Sequence, residues 1–223
     1  MRCRPRASRP QMSRNSVKPL IVEGHVSHGF TNATNNFELR RKLQEITDTC
    51  TEDKIGEQLQ LITELSADYP HSITLLEQKE PGDPNSLRFN CHEYAFGLRG
   101  SEKVETISSW YTDIFPDAGF VTLLITRVLT EKSEGNLQTG DLVVYFSDGK
   151  VAHSGIYVDG KVRSKWGGGH LWEHGLYEVP LSYGSEPRFF TALPREVSEE
   201  RFLKDAKRRG HELYPTTFEW PFD

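Results

Sequence analysis

The sequence predicts an α+β fold, with helices near the N-terminus and an antiparallel sheet after them. Between about residues 35 and 65, apolar side chains recur at three- and four-residue spacing, as on one face of an amphipathic helix. After residue 140, short β-rich runs are separated by Asp-Gly pairs that suit tight hairpin turns. Helices followed by an antiparallel meander are typical of the α+β class.

The composition divides the chain of 223 residues into three segments. We expect a basic, disordered leader at 1–34, the main folded domain at 35–195, and a C-terminal helix with an aromatic tail at 196–223. The leader is rich in arginine and lacks acidic residues up to Leu20, as organelle transit peptides also do. Its prolines, however, disfavour the amphipathic helix of such a peptide.

Charge and hydropathy limit the partners that we expect. A net charge of -5 argues against nucleic acid, and no apolar run approaches the ~20 residues that cross a bilayer. The leader has no apolar core of a secretory signal. Cys3, Cys50 and Cys91 are too few for a disulfide framework, so we expect a reducing, cytoplasmic location unless the protein is delivered elsewhere. The oligomeric state is left open.

The first elements are two helices and a short helix that begins with a cysteine. Asp53 is predicted to cap the second helix, and Asn90 the cysteine helix, which Gly100 would end. Cys91 would then occupy the first helical position, where the helix N-terminus lowers the pKa of a thiol. The apolar positions of the first two helices are Phe37, Leu39, Leu43, Ile46, Ile55, Leu59, Ile62 and Leu65.

Five strands and a last helix are predicted after the cysteine helix. Turns at Ser147-Asp148-Gly149 and Asp159-Gly160 would join three of the strands into hairpins. Ser198 is predicted to cap the last helix and Gly210 to close it. The strands are expected at Phe120–Val128, Asp141–Phe146, Val151–Val158, Lys161–Trp166 and Arg188–Leu193.

His153 is the candidate general base. On the strand Val151–Val158, odd-numbered residues face one side and even-numbered residues the other. The even-numbered residues are mostly apolar and suit the packed face. His153 would therefore lie on the opposite face with Gly155, which lets a substrate or another backbone come close.

A third polar group should orient the imidazole and fix its tautomer. Ser164 and Lys165 lie on the following strand, and His174 comes after the flexible run 167–169. We prefer His174 as the orienting residue. His170 and His174 are four residues apart, and together with Cys91 and His92 they could suggest a zinc site. Their spacing is not that of H-E-x-x-H, so we expect no metal.

These motifs resemble the NlpC/P60 superfamily of papain-like cysteine peptidases. The resemblance rests on Asn90-Cys91 at a helix start, on Gly-Asp-Leu-Val-Val-Tyr-Phe at 140–146, and on His-Ser-Gly-Ile-Tyr-Val at 153–158. It covers roughly residues 85–166 and implies a papain-like core with Cys91 as nucleophile and His153 as base. The Cys91 N–H would contribute to an oxyanion hole.

The chain departs from the family pattern at two places. The family usually has Ser-Gly after its cysteine, where this chain has His92-Glu93-Tyr94. The family's third polar residue normally lies on the strand after the histidine, where this chain has Ser164-Lys165. The run Ser164–Gly167 followed by His174 is also similar to an uncharacterised bacterial branch of this fold.

We therefore expect a thiol hydrolase, a peptidase or amidase, that forms an acyl-enzyme on a peptide or amide bond without a cofactor. Cys91, His153 and His174 are the expected catalytic residues. The expected substrate-binding residues are Asn90, His92, Ser164, Lys165 and Trp166.

Two alternatives use the same scaffold. The same thiol chemistry could serve an acyltransferase or a deamidase. In the other, the protein is a non-catalytic binding module in which Trp166, Trp172 and 167–169 form a ligand groove and Cys91 is unreactive. Thiol reactivity separates the catalytic readings from the binding module.

Overall fold

The fold was analysed in a computed structural model that describes residues 34–49, 54–83, 86–107 and 115–209. These residues form six α-helices and seven β-strands. The helices are α1 (Phe37–Thr49), α2 (Glu57–Leu65), α3 (Cys91–Ala95), α4 (Glu102–Ile107), α5 (Ala118–Arg127) and α6 (Arg195–Arg208). The strands are β1 (Thr74–Glu77), β2 (Glu131–Lys132), β3 (Leu142–Ser147), β4 (Lys150–Val158), β5 (Lys161–Lys165), β6 (Leu171–His174) and β7 (Glu186–Phe190).

All seven strands belong to one antiparallel sheet in the order β1-β6-β5-β4-β3-β7-β2. The α+β class is thereby confirmed. Helices cover both faces of the sheet. We call the side covered by α3, α4, α5 and α6 the α5 face, and the side covered by α1, α2 and the 3₁₀ turn Leu181–Tyr183 the α1 face. No helix of the described residues is long and apolar enough to cross a membrane.

A β-bulge in β4 decides which side chains reach each face. Tyr145 pairs with His153, but the next residue of β3 pairs with Val151, so Ala152 is an extra residue in the ladder. Val151 therefore lies on the α5 face, whereas His153 lies on the α1 face. The predicted alternation is wrong for Val151. The face of His153 is not open as expected, because Tyr183 of the 3₁₀ turn covers the imidazole ring.

The two hairpin turns are confirmed. Asp148 and Gly149 have φ angles of 50° and 71°, and Asp159 and Gly160 have 48° and 84°. Positive φ at both central residues defines the type I′ turn that Asp-Gly favours. These turns hold β3, β4 and β5 next to one another at the centre of the sheet.

The strand predicted at Phe120–Val128 is wrong, because this segment is α5. The Asp117 carboxylate caps the helix by accepting the Phe120 N–H at 2.9 Å. The Thr122 and Thr126 hydroxyls donate to the carbonyls four residues earlier. The helix therefore satisfies the hydrogen-bonding groups of these β-branched side chains. The β-branched run thus follows helical, not strand, geometry.

Other predicted boundaries also change. Strands β1, β2 and β6 were not predicted, and β6 occupies a run that was expected to be a loop. Helix α6 begins after Pro194, so Ser198 is an interior residue and not the cap. Its Phe202 packs edge-to-face on Phe120, with ring centroids 5.5 Å apart. The predictions for Asp53 and Gly210 lie outside the described residues.

A buried arginine holds the segment 179–184, which we call the strap, against α1. Arg40 is 1% exposed, and its guanidinium donates to the carbonyls of Val179, Pro180, Leu181 and Gly184. Burial lowers the pKa of Arg40, but its hydrogen bonds satisfy the charge. The strap carries Tyr183 onto the α1 face.

Gly184 is required where the strap returns to the sheet. Its φ of 92° and ψ of 158° lie in a region that essentially only glycine adopts. A Cβ added there would lie 2.3 Å from the Phe146 carbonyl oxygen. The strap can therefore pack this closely on β3 only through glycine.

We expect Gly184→Ala to lower the free energy of unfolding by at least about 1–3 kcal/mol, the cost of the backbone conformation alone. Gly168→Ala is the matched control, since nothing lies within 4 Å of its Cβ position. Urea unfolding monitored by circular dichroism measures both variants. Equal midpoints for the two variants would contradict the assignment.

Candidate active site

Cys91 is the first residue of α3, and Asn90 caps that helix as predicted. The Asn90 Oδ1 accepts the Glu93 N–H, and the Glu93 carboxylate accepts the Asn90 N–H, both at 2.8 Å. This is a capping box. The Asn90 Nδ2 donates to Pro116 O, so the side chain that was expected to bind substrate is engaged in holding the helix. The helix ends at Ala95, and the predicted end at Gly100 is wrong.

A directed hydrogen-bond chain fastens α3 to β4. The Ser154 hydroxyl lies 3.3 Å from the Cys91 carbonyl oxygen and 2.8 Å from His92 Nδ1. A carbonyl can only accept, so Ser154 donates to Cys91 and accepts from a protonated Nδ1 of His92. Burial lowers the pKa of His92 to about 4, which keeps this ring neutral at physiological pH. His92 is thus a buried fastening of α3 rather than the expected substrate contact.

The Cys91 thiol lies near the end of the β4–β5 pairing. That pairing joins Ile156–Val158 to Lys161–Arg163 and does not extend to Ser154 and Lys165. Burial raises the pKa of Cys91 to about 11, against smaller opposing effects of the Ser154 N–H, the His92 N–H and Lys165. The expected lowering at a helix start is wrong, because α3 has only five residues and desolvation outweighs its effect.

Lys165 is buried beside Cys91 on the α5 face. It is 1% exposed, and its Nζ donates to the Gly167 carbonyl at 2.9 Å. Burial, followed by the charge of Lys79, lowers the pKa of Lys165 to about 7, whereas Cys91 acts in the opposite direction. Near neutral pH this side chain therefore exists as both ammonium and amine.

His153 lies on the α1 face, and one of its ring nitrogens is buried without a hydrogen-bond partner among the described residues. Its ring stacks on Tyr183, with centroids 3.9 Å apart and planes at 14°. The ring is 1% exposed, and its Nε2 has no hydrogen-bond partner among the described residues. Burial, followed by His92 and His174, lowers the pKa of His153 well below its ordinary value, so the imidazole is neutral.

Tyr183 connects the two halves of the candidate site. It stacks on His153, and the proximity of Cys91 contributes to the raised pKa of its phenol, after burial. Its buried hydroxyl also has no hydrogen-bond partner in the described part of the chain. No hydrogen bond joins the Cys91 thiol to His153 there, so the three side chains form a cluster without a preformed thiol–imidazole contact.

Ser164, Trp166 and His174 form a separate, closed network in the core. Trp166 Nε1 donates to Ser164 Oγ at 3.1 Å, and Ser164 donates to His174 Nε2 at 2.8 Å. His174 Nδ1 donates to the Gly175 carbonyl, which fixes its tautomer. Burial lowers the pKa of His174 to about 4. All three side chains are fully buried, so Ser164 and Trp166 do not line a substrate surface as expected. His174 is hydrogen-bonded to Ser164 and Gly175 and not to His153, so it does not orient that imidazole as expected.

The described residues form neither the zinc site nor the ligand groove that the sequence suggested. His170 accepts the Lys79 N–H and donates to the Ile55 carbonyl, so both its ring nitrogens are engaged. Within 34–49, 54–83, 86–107 and 115–209, no group of three or more His, Cys, Asp or Glu could hold a metal ion. Trp172 is fully buried, so the predicted ligand groove with Trp166 is wrong.

The roles of two residues near Cys91 and His153 were missed from the sequence. Ser154 directly follows His153 on β4. The correct β3–β4 register would have predicted that its side chain faces α3, where it contacts the Cys91 carbonyl. Tyr183 lies in the strap, 30 positions beyond His153, and no local pattern marks it. A cavity of about 320 Å³ lies beside α3, but its lining of Phe89, Glu93 and neighbouring residues does not include the cluster.

Comparison with known proteins gives no relative: no family model, curated protein or solved structure matches the chain. The fold and the site define the chain as an α+β protein with a cysteine, a histidine and a tyrosine clustered at its central strands.

We expect the alkylation of Cys91 by iodoacetamide to keep rising well above pH 9. Because the folded-state pKa is about 11, the thiolate fraction grows through this range instead of levelling near the ordinary value of about 8.5. Peptide mass spectrometry measures the rate at Cys91 separately from Cys3 and Cys50. The urea-unfolded protein is the control, and a plateau below pH 9 in the folded protein would contradict the prediction.

We expect Lys165→Met to raise stability most at pH 6–7. The pKa of Lys165 is lowered from 10.5 to about 7, so the penalty for burying its charge is fully present below pH 7. That penalty disappears as the pH rises towards 10.5, so the advantage of methionine should shrink between pH 7 and pH 9. Urea midpoints across this range test it, with Lys161→Met as the control. A difference that does not change with pH would refute it.

Proposed function

We propose that the protein is a thiol hydrolase, a peptidase or amidase, in which Cys91 is the nucleophile and His153 the general base. The observation that supports this most is the buried, neutral imidazole of His153, whose Nε2 has no hydrogen-bond partner among the described residues. The ring stacks on Tyr183, whose phenol pKa is raised partly by Cys91. A buried nitrogen without a partner costs stability, so a role with a bound ligand explains its retention.

The Cys91 thiol and the His153 imidazole are both neutral before a substrate binds. Burial raises the pKa of Cys91 to about 11 and lowers that of His153, so the proton stays on sulfur and the imidazole lone pair stays free. This arrangement suits general-base catalysis, in which the proton moves as the nucleophile attacks. It differs from an enzyme that stores a thiolate–imidazolium ion pair.

The reaction then proceeds in two halves. The sulfur bonds to the carbonyl carbon, its proton passes to His153, and the carbonyl π electrons move to oxygen. When the tetrahedral species collapses, the C–N bond breaks and the amine leaves with the proton from the imidazolium. Water, activated by the same base, next cleaves the thioester, which releases the acid and restores the thiol.

The proton transfer requires the thiol and imidazole to approach, directly or through one water, when a substrate binds. Catalytic hydrogen bonds are often long or absent before the substrate is bound. The end of the β4–β5 pairing is suited to this, since Cys91 is partly exposed and the two glycines that follow β5 and Trp166, Gly167 and Gly168, are exposed.

The resemblance to NlpC/P60 peptidases belongs to the same proposal. Cys91 at the start of α3 and His153 on the later antiparallel strand β4 follow the same order as the nucleophile and base of that family. A papain-like core is proposed on this basis. In this proposal Tyr183, and not His174, orients the imidazole of His153, because the Tyr183 ring stacks on it.

The test uses p-nitrophenyl acetate, a small activated ester that acylates catalytic thiols. We expect an acetyl group on Cys91, a burst of p-nitrophenolate, and no acetylation at this position in Cys91→Ala. His153→Phe keeps an aromatic ring against Tyr183 but has no nitrogen, and should slow acylation about 10²–10⁴-fold.

Cys50→Ala controls for reaction at another cysteine and should retain the burst. Circular dichroism establishes that each variant is folded. A folded parent protein whose Cys91 is not acetylated, or a His153→Phe variant with the parent rate, would overturn the proposed function.

A further inference from the structure

We propose that the Tyr183 hydroxyl is an oxyanion-hole donor, which hydrogen-bonds the carbonyl oxygen of the substrate as Cys91 attacks. This inference rests on the proposed function and adds a further catalytic residue to it. The substrate group that it recognises is an acyl carbonyl whose oxygen gains negative charge in the tetrahedral species.

The first argument is the unmatched hydroxyl. Tyr183 is partly buried as a residue, but its hydroxyl oxygen is buried and has no hydrogen-bond partner among the described residues. The hydroxyl proton therefore has no acceptor in the described part of the chain. Burial raises the pKa of Tyr183, which keeps that proton in place and makes the group a donor.

The second argument is the location of the hydroxyl. His153 stacks on the Tyr183 ring, so the phenol lies against the proposed base. Cys91 contributes to the raised pKa of that phenol, which agrees with a thiol on the same side of the site. A Cβ on Gly167 would lie 3.9 Å from the Tyr183 hydroxyl oxygen, and Gly167 and Gly168 are exposed. A carbonyl oxygen can therefore approach from the side of these glycines.

The third argument is that the donor is held in place before any substrate binds. Arg40 holds the strap through four carbonyls, and Gln44 accepts the Ser182 N–H at 2.9 Å. The stack on His153 limits rotation of the ring. A donor fixed in a site of low dielectric stabilises a developing oxyanion most effectively, because it does not reorganise during the reaction.

With p-nitrophenyl acetate, the thiol proton passes to His153 as the S–C bond forms, and the carbonyl π pair moves to oxygen. The Tyr183 O–H donates to that oxygen without losing its proton. The pair returns as the C–O bond to p-nitrophenolate breaks and the leaving group departs with its electrons. Alkylation by iodoacetamide displaces iodide at a saturated carbon and forms no oxyanion.

The experiment compares these two reagents on Tyr183→Phe, which keeps the ring and removes only the hydroxyl. We expect acetylation of Cys91 by p-nitrophenyl acetate to slow about 10²–10³-fold, as with loss of other oxyanion donors. Alkylation of Cys91 by iodoacetamide should stay within about twofold of the parent, since that reaction needs no such donor. The melting temperature should stay equal or rise, because the variant no longer buries an unmatched hydroxyl.

Tyr177→Phe is the matched control, since Tyr177 also packs against the α1-face core. It should change neither reaction. If Tyr183→Phe slows both reagents equally, or slows neither, the oxyanion role is wrong while the nucleophile stands. If Cys91 of the parent is not acetylated at all, the proposed function fails first.

Discussion

The cover of helices on both faces of the sheet is the constraint on which the rest of the site depends. A polar side chain that this cover buries must find a hydrogen-bond partner inside the protein, or the fold loses stability. Ser154 meets this demand through His92, and Ser164 meets it through His174. The Nε2 of His153 and the hydroxyl of Tyr183 do not, and they lie together.

Local signals were enough to predict the parts of the fold that depend on a few neighbouring residues. Asn90 as a capping residue predicts the start of α3, and Asp-Gly predicts both type I′ turns. Segment 118–127 was misread as a strand because its apolar and β-branched residues also suit a helix that is buried on one side. Strand β6 follows a glycine run, and only its pairing with β1 and β5 makes it a strand.

The site was harder to predict because it depends on register and on distant packing. Cys91 and His153 were identified one at a time, but the bulge at Ala152 decides which face each neighbour of His153 occupies. The strap that carries Tyr183 is held by Arg40, about 140 positions earlier in the chain. Neither a bulge nor such a distant clamp has a signal in a short window of sequence.

The neutral state of Cys91 also bears on its oxidation. Peroxides oxidise the thiolate far faster than the thiol, and the first product is a sulfenic acid. With its pKa raised to about 11, Cys91 carries almost no thiolate at neutral pH. The burial that raises this pKa therefore gives the cysteine a resistance to oxidative damage that a thiol with an ordinary pKa lacks.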